Sequence, residues 1–312
     1  MALLKAASPK GRFAKERRSE MLQCYMYLSI PIIGFLVFSI YPILWQMRWS
    51  FYSYNMIPSQ TKFIGLDNFT KMFTTDFTYW KAWGNTLLFA ALKIPTEMFL
   101  AMLIALALTS SMAKLKGFFR TMYFMPNVVS VVIVGLMFSN MFGYFGVVNG
   151  VLERMGIITQ SIDWFASKKT AMAMLVISSI WTSFGVNVMY FISALANVPA
   201  EVYESAKLDG ANGLQVFWKI TLPCIMSVFK IILLLSILGT LGVNEHIIVL
   251  TAGGPNMGTH SVMSYLTQSF LPGFAGGTPA LGYGCAMSLI TTIIFAALGI
   301  GYNLLSKKMS SD

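Results

Sequence analysis

Charge is scarce in this chain. Of its 312 residues 11% are charged, where a soluble domain carries about 25%. So few ionic groups cannot coat a globule of this size, which argues against an ordinary soluble enzyme, a disordered chain and a nucleic-acid binder. Cysteine is scarce too. Cys24, Cys224 and Cys285 build no disulfide framework, and none stands at CxxC spacing. Only His246 and His260 are available as imidazole ligands, so a His-rich metal site is not expected. His246 reads as a polar cap at a helix end and His260 as a solvated loop residue. No glycine is followed by lysine, so a phosphate-cradling Walker A loop is impossible. H-E-x-x-H and G-x-S-x-G are also missing. The chain shows no means of hydrolysing ATP and no covalent chemistry, and it is read as no enzyme.

What is abundant is apolar sequence. Hydrophobic residues make up 56% of the chain, and the mean hydropathy is +0.67. A membrane-spanning helix needs about 20 mostly apolar residues, because the hydrocarbon core is about 30 Å thick. Stretches of that kind cover 21–47, 83–108, 121–142, 170–198, 223–250 and 281–305. The expected fold class is therefore all-α, a polytopic membrane protein with about six transmembrane helices. The turn signals "GGPNMG" at 253–258 and "PGFAGGTP" at 272–279 separate the last two. The first apolar run follows a basic tail over 1–20. It is far longer than a signal-peptide core and reads as a retained anchor. The transmembrane domain then runs over 21–308.

The net charge of +10 bears on orientation. Lys5, Lys10, Arg12, Lys15, Arg17 and Arg18 lie in the tail. Lys114, Lys116 and Arg120 follow the second span, Lys207 and Lys219 the fourth, and Lys307 and Lys308 the sixth. They outnumber Arg48, Lys62, Lys71, Lys81, Arg154, Lys168 and Lys169 on the opposite side. The bias places both termini in the cytoplasm.

One cytoplasmic loop differs from the rest. It runs over 199–222 and leads into Pro223. Pro199 suits a helix start, and Glu201 and Glu204 fall in the first turns, where negative charge complements the helix dipole. Val202, Ala206 and Leu208 make a partly apolar face, Gly210 interrupts the pattern, and Leu214, Phe217, Trp218 and Ile220 continue it. Two short helices with a glycine bend are expected. On physics alone, such a hairpin rests on lipid or docks on a partner.

Residue identity adds to this. Glu204, Ser205, Ala206, Asp209 and Gly210, followed at fixed spacing by Ile220, Leu222 and Pro223, resemble the EAA loop of ABC importer permeases, with Ser205 in place of an alanine. "FIGLDNF" (63–69), "GNTLLFA" (84–90), "FFRTMYFMPNVVS" (118–130), "SIWTSFGVNVMYFISAL" (179–195) and "VLTAGGPNMGT" (249–259) resemble the carbohydrate-uptake branch of maltose-type and glycerol-phosphate-type permeases. The resemblance implies a type I importer architecture in which the EAA loop is a coupling helix, with Glu204 meeting an ATPase subunit. It also implies a second homologous permease subunit, two ATPase subunits carrying ATP and Mg, an extracytoplasmic solute-binding protein and a carbohydrate substrate. No cofactor is expected on this chain.

Ionisable groups within spans are functional candidates by default, because burying charge in a bilayer costs about 2.5–3.5 kcal/mol on insertion scales. Lys93 falls near the middle of the second span with Glu97 one turn on, so they share a face. The pair has two readings: a structural ion pair, or a cavity lysine that meets an anionic group such as a uronic acid. Lys230 is within snorkelling reach of the interface. Glu245 caps or gates the outer end of the fifth span, or is a satisfied structural carboxylate. Asn127, Ser130, Asn187, Tyr190 and Asn244 either bind sugar hydroxyls or act as interhelical glue. Trp49, Phe51, Tyr52, Tyr54, Tyr79 and Trp80 are read mainly as an interfacial aromatic belt.

Three other function classes compete with an importer. A channel would need a symmetric pore ring and no bent hairpin. An ion-coupled carrier would need midplane acids, and only Glu97 is so placed. An intramembrane enzyme lacks a catalytic set.

Overall fold

The structure, a computed structural model, describes residues 9–109, 116–275 and 278–308. Lys5 of the basic tail and Lys114 lie outside the described residues. The chain divides into two compact units, residues 1–68 with 280–289, and residues 69–279 with 290–312.

In the first unit, α1 (Pro9–Phe35) continues through a π-helical turn (Leu36–Ile40) into α2 (Tyr41–Trp49). Pro42 explains the wide turn. It lacks an N–H and its ring clashes with the preceding turn, so the helix takes up an extra residue before it. Apolar side chains here, such as Leu22, Ile30 and Phe38, are exposed, as lipid-facing groups are. After α2, β1 (Tyr52–Ser53) pairs antiparallel with β2 (Lys62–Phe63). The Trp49 ring stacks on Tyr54 with centroids 4.2 Å apart. The Asn68 amide donates to the Ser50 carbonyl at 2.8 Å, which fixes the end of the hairpin.

The second unit holds the core. Its helices are α3 (Asp67–Thr74, which begins in the first unit), α4 (Phe77–Thr109), α5 (Lys116–Val128), α6 (Val131–Phe142), α7 (Val147–Arg154) and α8 (Lys168–Ala196). They are followed by α9 (Ala200–Leu208), α10 (Gly213–Val216), α11 (Leu222–Leu241), α12 (Glu245–Leu250) and α13 (Val262–Phe270). The last helix, α14 (Leu281–Lys308), gives its first part to the first unit and the rest to the second. One apolar cluster joins α4, α8 and α11 through Met98, Ala101, Phe191, Leu195, Ile225 and Ile232. Another joins α4, α6, α8 and α12 through Phe89, Val134, Phe138, Leu175, Ile180 and Ile247. The central helix is α8. Its small Gly185 lets the α5 backbone come so close that a Cβ there would stand 2.0 Å from the Tyr123 carbonyl oxygen.

Among the described residues, six stretches are long and apolar enough to cross a membrane: Glu20–Trp49, Phe77–Thr109, Val131–Arg154, Lys168–Ala196, Gly213–Leu241 and Leu281–Lys308. Two differ from the sequence expectation. The single helix expected over 121–142 is parted between α5 and α6, where Ser130 adopts extended backbone as the N-cap of α6. Pro126 near the end of α5 makes that break intelligible, since it leaves the last turn short of a donor. The fifth helix, expected to reach 250, stops at Leu241. Gly242 caps it and Asn244 starts α12 in a new direction.

Candidate functional site

Inside the second unit, α4, α5, α6, α8, α11, α12, α13 and the 242–244 turn line an open cavity of about 680 Å³. Lys93, Glu97, Asn127, Asn187, Tyr190, Asn244 and Glu245 all line it. Ser130 does not; it is spent on the break before α6. The cavity also draws in Ser179, Thr182, Ser183, Ser236 and Thr240, which the sequence reading did not single out, and His246, which it read as a helix cap. A signal for some of them exists. Ser179, Ser183, Asn187 and Tyr190 recur at helical spacing on α8, and Ser236 and Thr240 do so on α11.

Lys93 and Glu97 organise the floor. The Lys93 ammonium donates to Glu97 Oε2 at 2.6 Å and to Thr240 Oγ1 at 3.3 Å. The Ser183 hydroxyl lies 2.6 Å from Glu97 Oε1, and the Asn187 amide donates to the same oxygen at 3.1 Å. Ser236 stands further off, 3.4 Å from Oε2. Glu97 is 1% exposed and Lys93 5%. A buried carboxylate is tolerable only when its oxygens are met by donors in this way. The ion-pair reading of Lys93 and Glu97 is thus the geometry found, and the pair ties α4 to α8 and α11.

Other lining groups are also fixed. The Thr182 hydroxyl donates to the Ser179 carbonyl at 2.9 Å. The same hydroxyl lies 3.3 Å from His246 Nε2, and which of the two donates follows from the imidazole tautomer. His246 is a partner of the cavity wall and not a cap. The Asn127 amide reaches the Thr182 carbonyl at 3.4 Å. Asn244 Oδ1 is buried and has no partner among the described residues. A smaller cavity of about 270 Å³, mostly apolar, shares Tyr190 and Leu235 with the first and continues along α8 to Asn197, next to the hairpin.

On the opposite side of the cavity from the hairpin, residues 251–261 form a closed loop. The Asn85 amide donates to the His260 carbonyl at 3.0 Å, and Lys168 donates to Asn85 Oδ1 at 2.7 Å. The Ser261 hydroxyl donates to the Val243 carbonyl at 2.6 Å, which anchors the turn bearing Asn244. The expectation that His260 is solvated fails: it is 5% exposed. Its ring fills the place a Cβ at Gly253 would take, and Gly253 has φ +82°. Burial lowers the His260 pKa from its ordinary value.

The loop over 199–222 folds as two short helices. The Ala211 N–H bonds to the Ala206 carbonyl at 3.0 Å and the Gly210 N–H to the Lys207 carbonyl at 3.1 Å. This is a Schellman closure with Gly210 in the left-handed region at φ +72°. Asn212 and Gln215 then form a capping box that opens α10. Phe217–Thr221 is a second π-helical turn, and Pro223 stands two residues beyond it as Pro42 does beyond the first. Ile220 and Leu222 are half-buried at this turn and Pro223 is exposed. Glu204, Ser205 and Asp209 are exposed while Ala206 is buried, and Leu208 is 90% exposed at the tip. Lys230, further along α11, is bound inward: its ammonium donates to the Ser306 carbonyl at 3.0 Å.

These features define an integral-membrane permease. Residues 97–311 match the family of binding-protein-dependent transport system inner membrane components, and the chain belongs to that family. It is 34% identical over 280 residues to the probable ABC transporter permease protein YesP of Bacillus subtilis, covering 89% of this chain and 88% of that one. It is 30% identical to the arabinooligosaccharides permease AraP of Bacillus subtilis (92% and 88% covered). The lactose permease LacF of Rhizobium radiobacter is also 30% identical (88% and 90% covered). The fold matches that of a chain in the crystal structure of a bacterial ABC transporter involved in alginate import. The TM-score is 0.80 at 24% identity, over 95% of this chain and 99% of that one. The all-α polytopic permease fold and the family inferred from the sequence are borne out.

Proposed function

We propose that this chain is one of two permease subunits of an ATP-driven importer for a sugar or oligosaccharide handed over by an extracytoplasmic binding protein. ATP and Mg belong to two separate ATPase subunits, and both termini face the cytoplasm. The relatives' names support a carbohydrate cargo. The observation that carries the mechanism is the position of the hairpin. It is the covalent link between α8 and α11, the two helices that together supply half of the residues lining the cavity. A rigid displacement of α9 and α10 is therefore delivered to both walls at once. Exposed Glu204, Ser205 and Asp209 form the surface offered to the ATPase, and Gly210 sets the angle between the two short helices. Closure of the ATPases on ATP pushes the hairpin, the walls rock and the cavity opens outward. Hydrolysis resets it. The polar groups of the cavity meet sugar hydroxyls on the way.

The test is affinity purification of the tagged chain, followed by reconstitution in liposomes. ATPase subunits are expected to co-purify, and uptake of the sugar carried by the co-purified binding protein should require internal ATP. Glu204→Lys should abolish uptake while the protein still inserts in the membrane. Uptake that continues without any ATPase would sink this reading in favour of a carrier.

A further inference from the structure

The cavity wall has a hydrogen-bond polarity, and one residue sets it. Glu97 gathers donors. The Lys93 ammonium, the Asn187 amide and the Ser236 hydroxyl all point at its two oxygens. The single hydrogen of Ser183 goes either to Glu97 Oε1 or to the Ser179 carbonyl, 2.8 Å away, and so never into the cavity. What the Ser183 hydroxyl turns toward the cavity is then acceptor capacity, and the Asn187 amide keeps an Oδ1 acceptor there beside its second N–H. Asn244 Oδ1 adds an acceptor without a partner among the described residues, and exposed Glu245 adds a carboxylate. Among the described residues lining this cavity the cation is Lys93, and its charge is already met by Glu97, with a second N–H on Thr240.

We infer that Glu97 is a positioning residue that makes this wall a reader of hydroxyl donors. The part of the sugar seated against it is an uncharged, hydroxyl-rich ring face. A carboxylate brings only acceptors, finds no free cation and faces Glu245, so it is turned away from this wall. The inference rests on the carbohydrate reading above and narrows it. It also reverses the expectation that Lys93 receives a uronic acid.

The experiment compares two probes that differ at C6 alone, galactotriose and trigalacturonate. Their binding to the complete transporter complex in lipid nanodiscs is measured by calorimetry without nucleotide. Wild type is expected to hold galactotriose at least about tenfold more tightly than trigalacturonate. Glu97→Gln releases the Lys93 charge, and the ratio should shift about tenfold toward trigalacturonate. Glu245→Gln, at an exposed position that does not threaten folding, should shift the ratio the same way by a smaller factor. A merely structural role for Glu97 would weaken both probes together and leave the ratio where it was. Wild-type preference for trigalacturonate, or an unchanged ratio in both variants, overturns the inference alone. Failure of both sugars to bind wild type overturns the carbohydrate reading and this inference with it.

Discussion

Lys93 and Glu97 are each costly to leave alone in an apolar interior, and their contributions are coupled. Lys93→Met leaves a carboxylate with hydroxyl and amide donors but no cation, a loss expected at about 3–5 kcal/mol for a broken buried pair. Replacing both, as Lys93→Met with Glu97→Leu, removes the desolvation penalty along with the attraction. The double variant should therefore lose less than the two single variants summed. The check is a double-mutant cycle on thermal unfolding of the detergent-solubilised chain, where strict additivity would show that the two side chains do not interact. The pair itself was legible in the sequence, because four-residue spacing on a helix puts two side chains on one face. Its partners were not. Asn187 lies 90 positions away and Ser236 139 away, and only the packing of α8 and α11 on α4 decides which faces meet.

Helix interruptions do the local work in this fold, and proline and glycine cause most of them. Pro42 and Pro223 each follow a π-helical turn, Pro126 precedes the α5–α6 break, and Gly210 turns the hairpin. The hairpin was readable because a glycine between two amphipathic stretches has one use. The break at Val129–Ser130 was not, since "PNVVS" sits inside an apolar run that hydropathy treats as continuous. Gly210 carries a sharp expectation. Its positive φ costs a residue with a Cβ about 1–2 kcal/mol, except asparagine, which tolerates the region. Gly210→Asn should keep ATPase subunits in the purified complex, Gly210→Val should lose much of them, and Gly210→Pro, locked near −65°, should lose nearly all. Equal ATPase recovery from all three would remove the hairpin from the interface. The 251–261 loop answers to pH. An opened loop takes up a proton on His260 near the ordinary value of about 6.5, while the closed loop resists it to lower pH. The closed form is thus fully favoured above about pH 6.5 and loses stability as the pH falls below it. Hydrogen exchange of amides 253–261, corrected for intrinsic rate, should accelerate between about pH 7.5 and about pH 5.5, and His260→Asn should flatten the change.

The proposed coupling role of the hairpin depends on orientation in the bilayer, because a hairpin that meets an ATPase works only on the side where ATP is. The apolar helices carry no directional information; the basic residues between them do. Lys207 and Lys219 lie within the hairpin, and Lys307 and Lys308 end α14; in the proposed orientation this excess of basic residues holds that side in the cytoplasm. Lys62, on β2 after the first membrane-crossing stretch, then belongs outside. Both Lys207 and Lys62 are exposed, which makes them accessible to a reagent on their own side. With Cys24, Cys224 and Cys285 changed to serine, Lys62→Cys should react with a membrane-impermeant maleimide in intact spheroplasts. Lys207→Cys should react only after the membrane is opened. The reverse pattern would put the hairpin on the face without ATP, and a coupling role for Glu204 and Gly210 would fall with it, whatever the family resemblance.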